Sequence, residues 1–141
     1  MKLPVQLRRR PDEPVDEELR AFYKRLLPLL QLPALTDGEC QLCAITGWPD
    51  NDSFQQLVAW SWQSTSQQCV VVANLSDAAA QGRVQSIWPS ISGQQWVFQD
   101  RLSGTSFEYS GDEVLNAGLY VDLPAWGYHF FELGYHFFTL R

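Results

Sequence analysis

The hydrophobic pattern of this chain changes period once, and that change limits what it can fold into. From Asp16 to Leu30 the apolar residues Leu19, Phe22, Tyr23, Leu26, Leu27 and Leu30 recur at i, i+3, i+4, i+7, i+8 and i+11, one stripe along one helix face. After Thr36-Asp37-Gly38 the period drops to two, which sends alternate side chains to opposite faces of a strand. Alternating segments at 39–45, 56–63, 68–75, 82–87, 95–100, 106–109, 118–123 and 127–133 are separated by runs rich in Gly, Pro, Ser, Asn and Asp. Eight short strands, about ten residues apart, predict a mainly β fold: an antiparallel Greek-key β-sandwich preceded by one amphipathic helix.

Local signals refine this outline. Asp16 and the acids after it suit a helix start, while Pro28 crowds the carbonyl of Lys24 and kinks the last turn. Leu32-Pro33 marks the helix exit. Val70-Val71-Val72 is continuous rather than alternating, which predicts a central strand covered on both faces. Gly127-Tyr128-His129-Phe130-Phe131-Glu132-Leu133 recurs as Gly134-Tyr135-His136-Phe137-Phe138-Thr139-Leu140. The offset of seven is odd, so one unbroken strand would flip every side chain of the second copy. The first copy is expected to be a native edge strand and 134–141 a surplus tail.

With 141 residues the chain is too short for a (β/α)8 barrel, which needs about 250. Residues 1–25 carry seven of the ten basic residues, leaving three against eleven acids over 26–141, so a nucleic-acid partner is excluded. No apolar run reaches the ~18 residues of a membrane span. The first ten residues lack an apolar leader core, and three unpatterned cysteines do not make a disulfide framework; both point to the cytoplasm.

Cys40-Gln41-Leu42-Cys43 has the spacing of half a zinc site, with Cys69, His129 and His136 as the other candidates. Residues three apart on a strand point to opposite faces, so small buried thiols are expected, with no metal and no cofactor. Asp50-Asn51-Asp52 lacks the Gly and terminal Glu of a calcium loop. Asp100, Glu108, Asp112, Glu113 and Asp122 fall in or beside turns, where acids face water, and no catalytic pair is expected among them.

Six tryptophans remain. Sugar rings stack on flat exposed aromatics, so Trp48, Trp62 and Trp88 are the candidate carbohydrate contacts. Trp60 and Trp96 are expected in the core, and Trp126 at the end of the sandwich, plugging it.

Several segments together resemble the end of an α-amylase superfamily enzyme. Leu19-Arg20-Ala21-Phe22-Tyr23-Lys24-Arg25-Leu26-Leu27 resembles the final helix of the catalytic barrel, and Gln6-Leu7-Arg8-Arg9-Arg10-Pro11 the loop leading into it. Val70-Val71-Val72-Ala73-Asn74-Leu75-Ser76 is similar to the hydrophobic-Asn-Leu-Ser strand of the C-terminal β-domain. Asp100-Arg101-Leu102-Ser103-Gly104, Leu119–Trp126 and Phe130-Phe131-Glu132-Leu133 resemble its closing strands. Pro28 and the terminal repeat depart from the pattern.

The resemblance implies a division into 1–35 (loop and last barrel helix), 36–133 (C-terminal β-sandwich) and 134–141 (repeated tail). It implies a non-catalytic accessory domain of an enzyme acting on α-glucans, which stabilises the barrel and contacts carbohydrate. The barrel strands that bear the family's catalytic carboxylates are not here, so no catalytic residue carries over. The alternatives are a freestanding carbohydrate-binding module and a purely structural interaction domain. In each case the six-residue stripe must meet the barrel, lie on the sandwich, or pair with a second copy as a homodimer.

Overall fold

The computed structural model describes residues 14–85 and 87–135. Helix α1 (Glu17–Leu29) starts where the sequence indicates: the Asp16 side chain accepts a hydrogen bond from the Leu19 N–H at 3.1 Å, and Glu17 and Glu18 sit at the positive end of the dipole. Pro28 lies in its last turn, after which the chain tightens through successive i→i+3 bonds at Leu30, Gln31 and Leu32. Pro33 then opens an unforeseen second helix, α2 (Pro33–Asp37), at the first-turn position where a missing N–H costs nothing.

Nine strands follow among the described residues, one more than the pattern predicts. They are β1 (Glu39–Leu42), β2 (Ile45–Thr46), β3 (Leu57–Gln63), β4 (Gln68–Asn74), β5 (Ala80–Val84), β6 (Gln95–Asp100), β7 (Ser106–Ser110), β8 (Leu119–Leu123) and β9 (Tyr128–Tyr135). The extra strand arises because the segment over 39–45 changes sheets. Cys43 N–H still donates to Ala59 on β3, but the Ala44 carbonyl accepts from Gln85, just beyond β5. The large sheet runs β1-β3-β4-β9-β6-β7 and the small one β2-β5-β8, all pairs antiparallel. The turn-rich stretch after Ser110 is another correction. It forms helix α3 (Gly111–Ala117), capped by the Ser110 hydroxyl accepting from the Glu113 N–H, and closes one end of the core with Val114.

The sheets enclose one continuous core. Leu57, Ala59, Val70, Val72, Trp96, Phe98 and Phe131 of the large sheet meet Ala80, Val84, Leu119, Val121 and Leu123 of the small one. Phe98 is fully buried between Tyr109 and Phe131, both edge-to-face at 5.4 and 5.7 Å. As predicted, β4 is central and covered twice: Val70 and Val72 face the core, while Cys69 and Val71 face the opposite side, beneath the helices. β9 is not an edge strand. It lies between β4 and β6 and continues through Gly134 and Tyr135, which pair with Val97 and Trp96. Residues 136–141 of the expected tail lie outside the described residues.

Asn74 joins two of the places where the chain passes between sheets. Its side-chain amide donates to Ala78, Leu123 and Pro124 carbonyls at 2.8, 3.3 and 2.9 Å, and its oxygen accepts from the Ser76 N–H and hydroxyl. Ala78 lies on the passage from β4 to β5, Leu123 and Pro124 on that from β8 to β9. Among the described residues no helix is long and apolar enough to cross a membrane. Asn74→Ala removes the amide shared by these carbonyls, although the Ser76 hydroxyl still reaches Ala78 and the Gly127 N–H still reaches Pro124. It is expected to cost about 1–3 kcal/mol, measured as a lower urea midpoint at unchanged m-value.

Candidate functional site

The outer face of the large sheet is apolar along two cross-strand rows. Leu42, Trp60, Val71 and Phe130 stand in register, and Cys40, Trp62 and Cys69 form the next row. The end of α1 and all of α2 lie over this face, burying Leu29, Ala34, Cys69 and Phe130 in a second cluster. Between helix and sheet a groove of about 380 Å³ stays open, lined by Leu26, Leu30, Leu35, Trp60, Trp62 and Phe130, with Cys40 and Val71 at its floor.

The helix stripe is only partly used. Leu26 is half-buried, and Phe22 packs edge-on against Tyr128 at 5.5 Å. Leu19, Tyr23, Leu27 and Leu30 are exposed, Leu27 by 54%, and Leu42 on edge strand β1 is exposed by 65%. Docking on the sandwich therefore holds for Phe22 and the last turn of the helix, not for the whole stripe. Hydrophobic side chains in such a cluster mark a surface that another body covers.

The tryptophans divide differently from the expectation. Trp88 is 9% exposed and packs in the main core, with only its edge left to an open hollow beside Glu39, Gln41 and Gln63. Trp60 points out of the sandwich and into the groove with Trp62, since both alternate away from buried Ala59 and Ser61. Trp96 is a core residue, its indole N–H donating to the Ile91 carbonyl at 2.8 Å. Trp126 does not plug the sandwich: it is 62% exposed with φ +58°, left-handed backbone that a non-glycine residue enters at a cost of about 1–2 kcal/mol. Trp48 is half-buried on the far side of the molecule, over the small sheet.

Asp100 also departs from the expectation that these acids face water: it is 2% exposed. One oxygen accepts from the N–H groups of Leu102, Ser103 and Phe130, and the other meets His129 Nδ1 at 2.8 Å. Burial alone would raise its pKa, but the His129 bond and those of Leu102 and Phe130 outweigh it and hold the carboxyl below its ordinary value. The imidazole is flanked by Phe107 and Phe131. The pair caps the β6–β7 hairpin. Nearby, Glu132 bridges Arg101 and Gln67, whose own amide oxygen accepts from the first turn of α2. Burial raises the Cys43 thiol and pushes Cys69 up to about 12, whereas Cys40 is exposed. Among the described residues no group of three or more His, Cys, Asp or Glu could hold a metal ion.

An α-amylase from Geobacillus thermoleovorans, solved with bound acarbose, superposes on this chain with a TM-score of 0.65 at 15% sequence identity. The fold is one that α-amylases carry. The match covers 89% of this chain and 25% of that one, so the chain spans a quarter of the length of the amylase. No protein-family model matches the chain, and no curated protein matches it in sequence. The fold thus agrees with the resemblance carried by the sequence segments.

Because the Asp100 carboxyl titrates lower in the folded state than in the unfolded one, it stabilises the fold above the unfolded value of about 4. That contribution fades as pH falls through the lower, folded value. Asp100→Asn is expected to lose about 1–3 kcal/mol at pH 7, with the gap to the native chain closing in acid, as read from urea unfolding across pH.

Proposed function

We propose that the chain is the non-catalytic accessory domain of an α-amylase-like enzyme, and that α1 with the outer face of the large sheet is the seat of the catalytic (β/α)8 barrel. The observation that carries this is the half-used helix. Its stripe is apolar from Leu19 to Leu30, yet the sandwich covers only Phe22 and the last turn and leaves Leu19, Tyr23, Leu27 and Leu30 in solvent beside an open apolar groove. The fold match supports a barrel as the occupant, because the similar region occupies a quarter of an amylase chain and the rest of that enzyme lies outside it. A barrel resting there would cover Leu27, Leu30, Leu42 and the groove together, where a monomer gains nothing from exposing them.

The reaction belongs to that partner. Among the described carboxylates only Asp100 is buried, and its oxygens are already engaged. The domain contributes stability and contact with the α-glucan from its free side. Trp62 would lie beneath the barrel, so among the three candidate tryptophans Trp48 is the one left facing solvent when the barrel is seated.

The reading frame upstream of this chain is expected to encode a barrel. Co-expressed, barrel and chain should copurify, and native-state thiol labelling of Cys40 should slow at least about tenfold in the complex. Leu27→Glu with Leu30→Glu should abolish copurification while leaving the melting temperature of the chain within a few degrees. A homodimer in light scattering that the same double variant dissolves, with no barrel upstream, overturns the reading in favour of a self-pairing domain.

A further inference from the structure

We infer that the exposed face of the small sheet is a saccharide-binding platform built from Trp48, Arg83 and Tyr120. Arg83 on β5 pairs in register with Thr46 on β2 and Tyr120 on β8, so its side chain stands at the middle of that face. The guanidinium carbon lies 5.5 Å from the Trp48 ring centre and 5.8 Å from that of Tyr120, and the two rings meet edge-on at 6.1 Å. Among the described residues Arg83 forms no ion pair and no side-chain hydrogen bond, although Asp122 shares its sheet face. The rings hold a planar fork of N–H donors in place with no protein acceptor in it.

The loop that presents Trp48 is fixed in advance. Trp48 and Asn51 exchange two backbone hydrogen bonds, at 3.2 and 3.0 Å. The Asn51 amide then donates to the Gln81 side chain on β5 at 3.0 Å, and its oxygen accepts from the Ser53 N–H and hydroxyl. Gly47 is pressed against Phe54, where a Cβ would sit 2.3 Å from the ring. An aromatic side chain on so braced a loop loses little freedom when a ligand arrives.

The surroundings select the ligand class. Tyr120 is 37% exposed and Trp48 half-buried, which leaves apolar ring surface beside amide, guanidinium and carboxylate groups from Gln81, Arg83 and Asp122. Hydroxyls arranged around a C–H face fit that mixture. Asp50, Asp52 and Asp122 and a net charge of −6 repel a polyanion, so Arg83 serves a neutral ligand. The face is open, which suits a chain running across it better than an enclosed small molecule. This platform lies on the small sheet, away from the helices, and would stay free with a barrel in place. Only the α-linkage of its glycan rests on the accessory-domain reading.

The test is titration of the ¹⁵N-labelled chain with maltoheptaose, following the indole resonances. One indole signal should shift saturably with a dissociation constant of about 1 mM. Trp48→Ala should remove the shift, and Arg83→Lys should weaken binding about tenfold by losing the stacked fork. If Trp48→Ala fails to fold, Tyr120→Ser is read in its place. No saturable shift with any oligosaccharide, or affinity unchanged by these substitutions, overturns the platform. Displacement by inorganic phosphate overturns a neutral ligand. A response to cellohexaose alone keeps the platform and overturns the α-linkage, and with it the reading on which that linkage rests.

Discussion

A sandwich whose chain repeatedly changes sheets depends on what holds the crossings together, and here that is the carboxamide of Asn74. The side chain sits at the end of a central strand and is almost wholly buried. It satisfies carbonyls from two of the passages between the layers, those after β4 and β8, which the Trp126 N–H also joins by donating to the Ser76 carbonyl at 3.0 Å. Apolar burial supplies most of the driving force but has no direction. A buried amide with five partners does, and it makes one relative placement of the passages much better than a nearby one. The backbone N–H of Asn74, donating to Gly127 at 2.8 Å, adds the start of β9 to the same junction.

From that frame follow two outer surfaces of opposite character. The large sheet presents leucine, tryptophan and phenylalanine to the helices, while the small sheet presents glutamine, arginine, tyrosine and aspartate. Alternation along each strand makes this separation possible, because the residues between the outward ones are committed to the core. The side chains that would meet a protein partner and those that would meet a hydrated ligand thus stand on different layers, and neither use competes with the other.

Much of the fold was legible because periodicity reports which residues share a face. The strands over 95–100 and 56–63, the doubly covered valines of β4 and the start of α1 all follow from local pattern. Periodicity does not report which face becomes interior or which strands become neighbours. Trp60 and Trp62, two apart on one strand, must share a face, but whether that face meets the second sheet or the helices depends on long-range pairing, and Trp60 was expected in the core. β9 carried the same ambiguity: an interior strand and an edge strand have one alternation, and its partners lie some sixty and thirty residues away in sequence. Asp100 was missed because its partner His129 arrives from another strand. The resemblance pointed to Asn74 in its motif, yet not to what it clasps. The grouping of Trp48, Arg83 and Tyr120 had no local signal, since three separate elements bring them together.

The interior position of β9 also sets an order of events during synthesis. β1, β3 and β4 can pair as soon as they leave the ribosome, and so can β6 with β7, but the two halves share no ladder until residues 128–135 emerge to fill the slot between them. Until then β4 and β6 each present an unpaired edge, and the core that Phe131 completes stands open. Between the emergence of β7 and that of β9 the nascent domain would therefore stand as two unsealed half-sheets, the stage at which a chaperone or a wrongly matched strand has its best access.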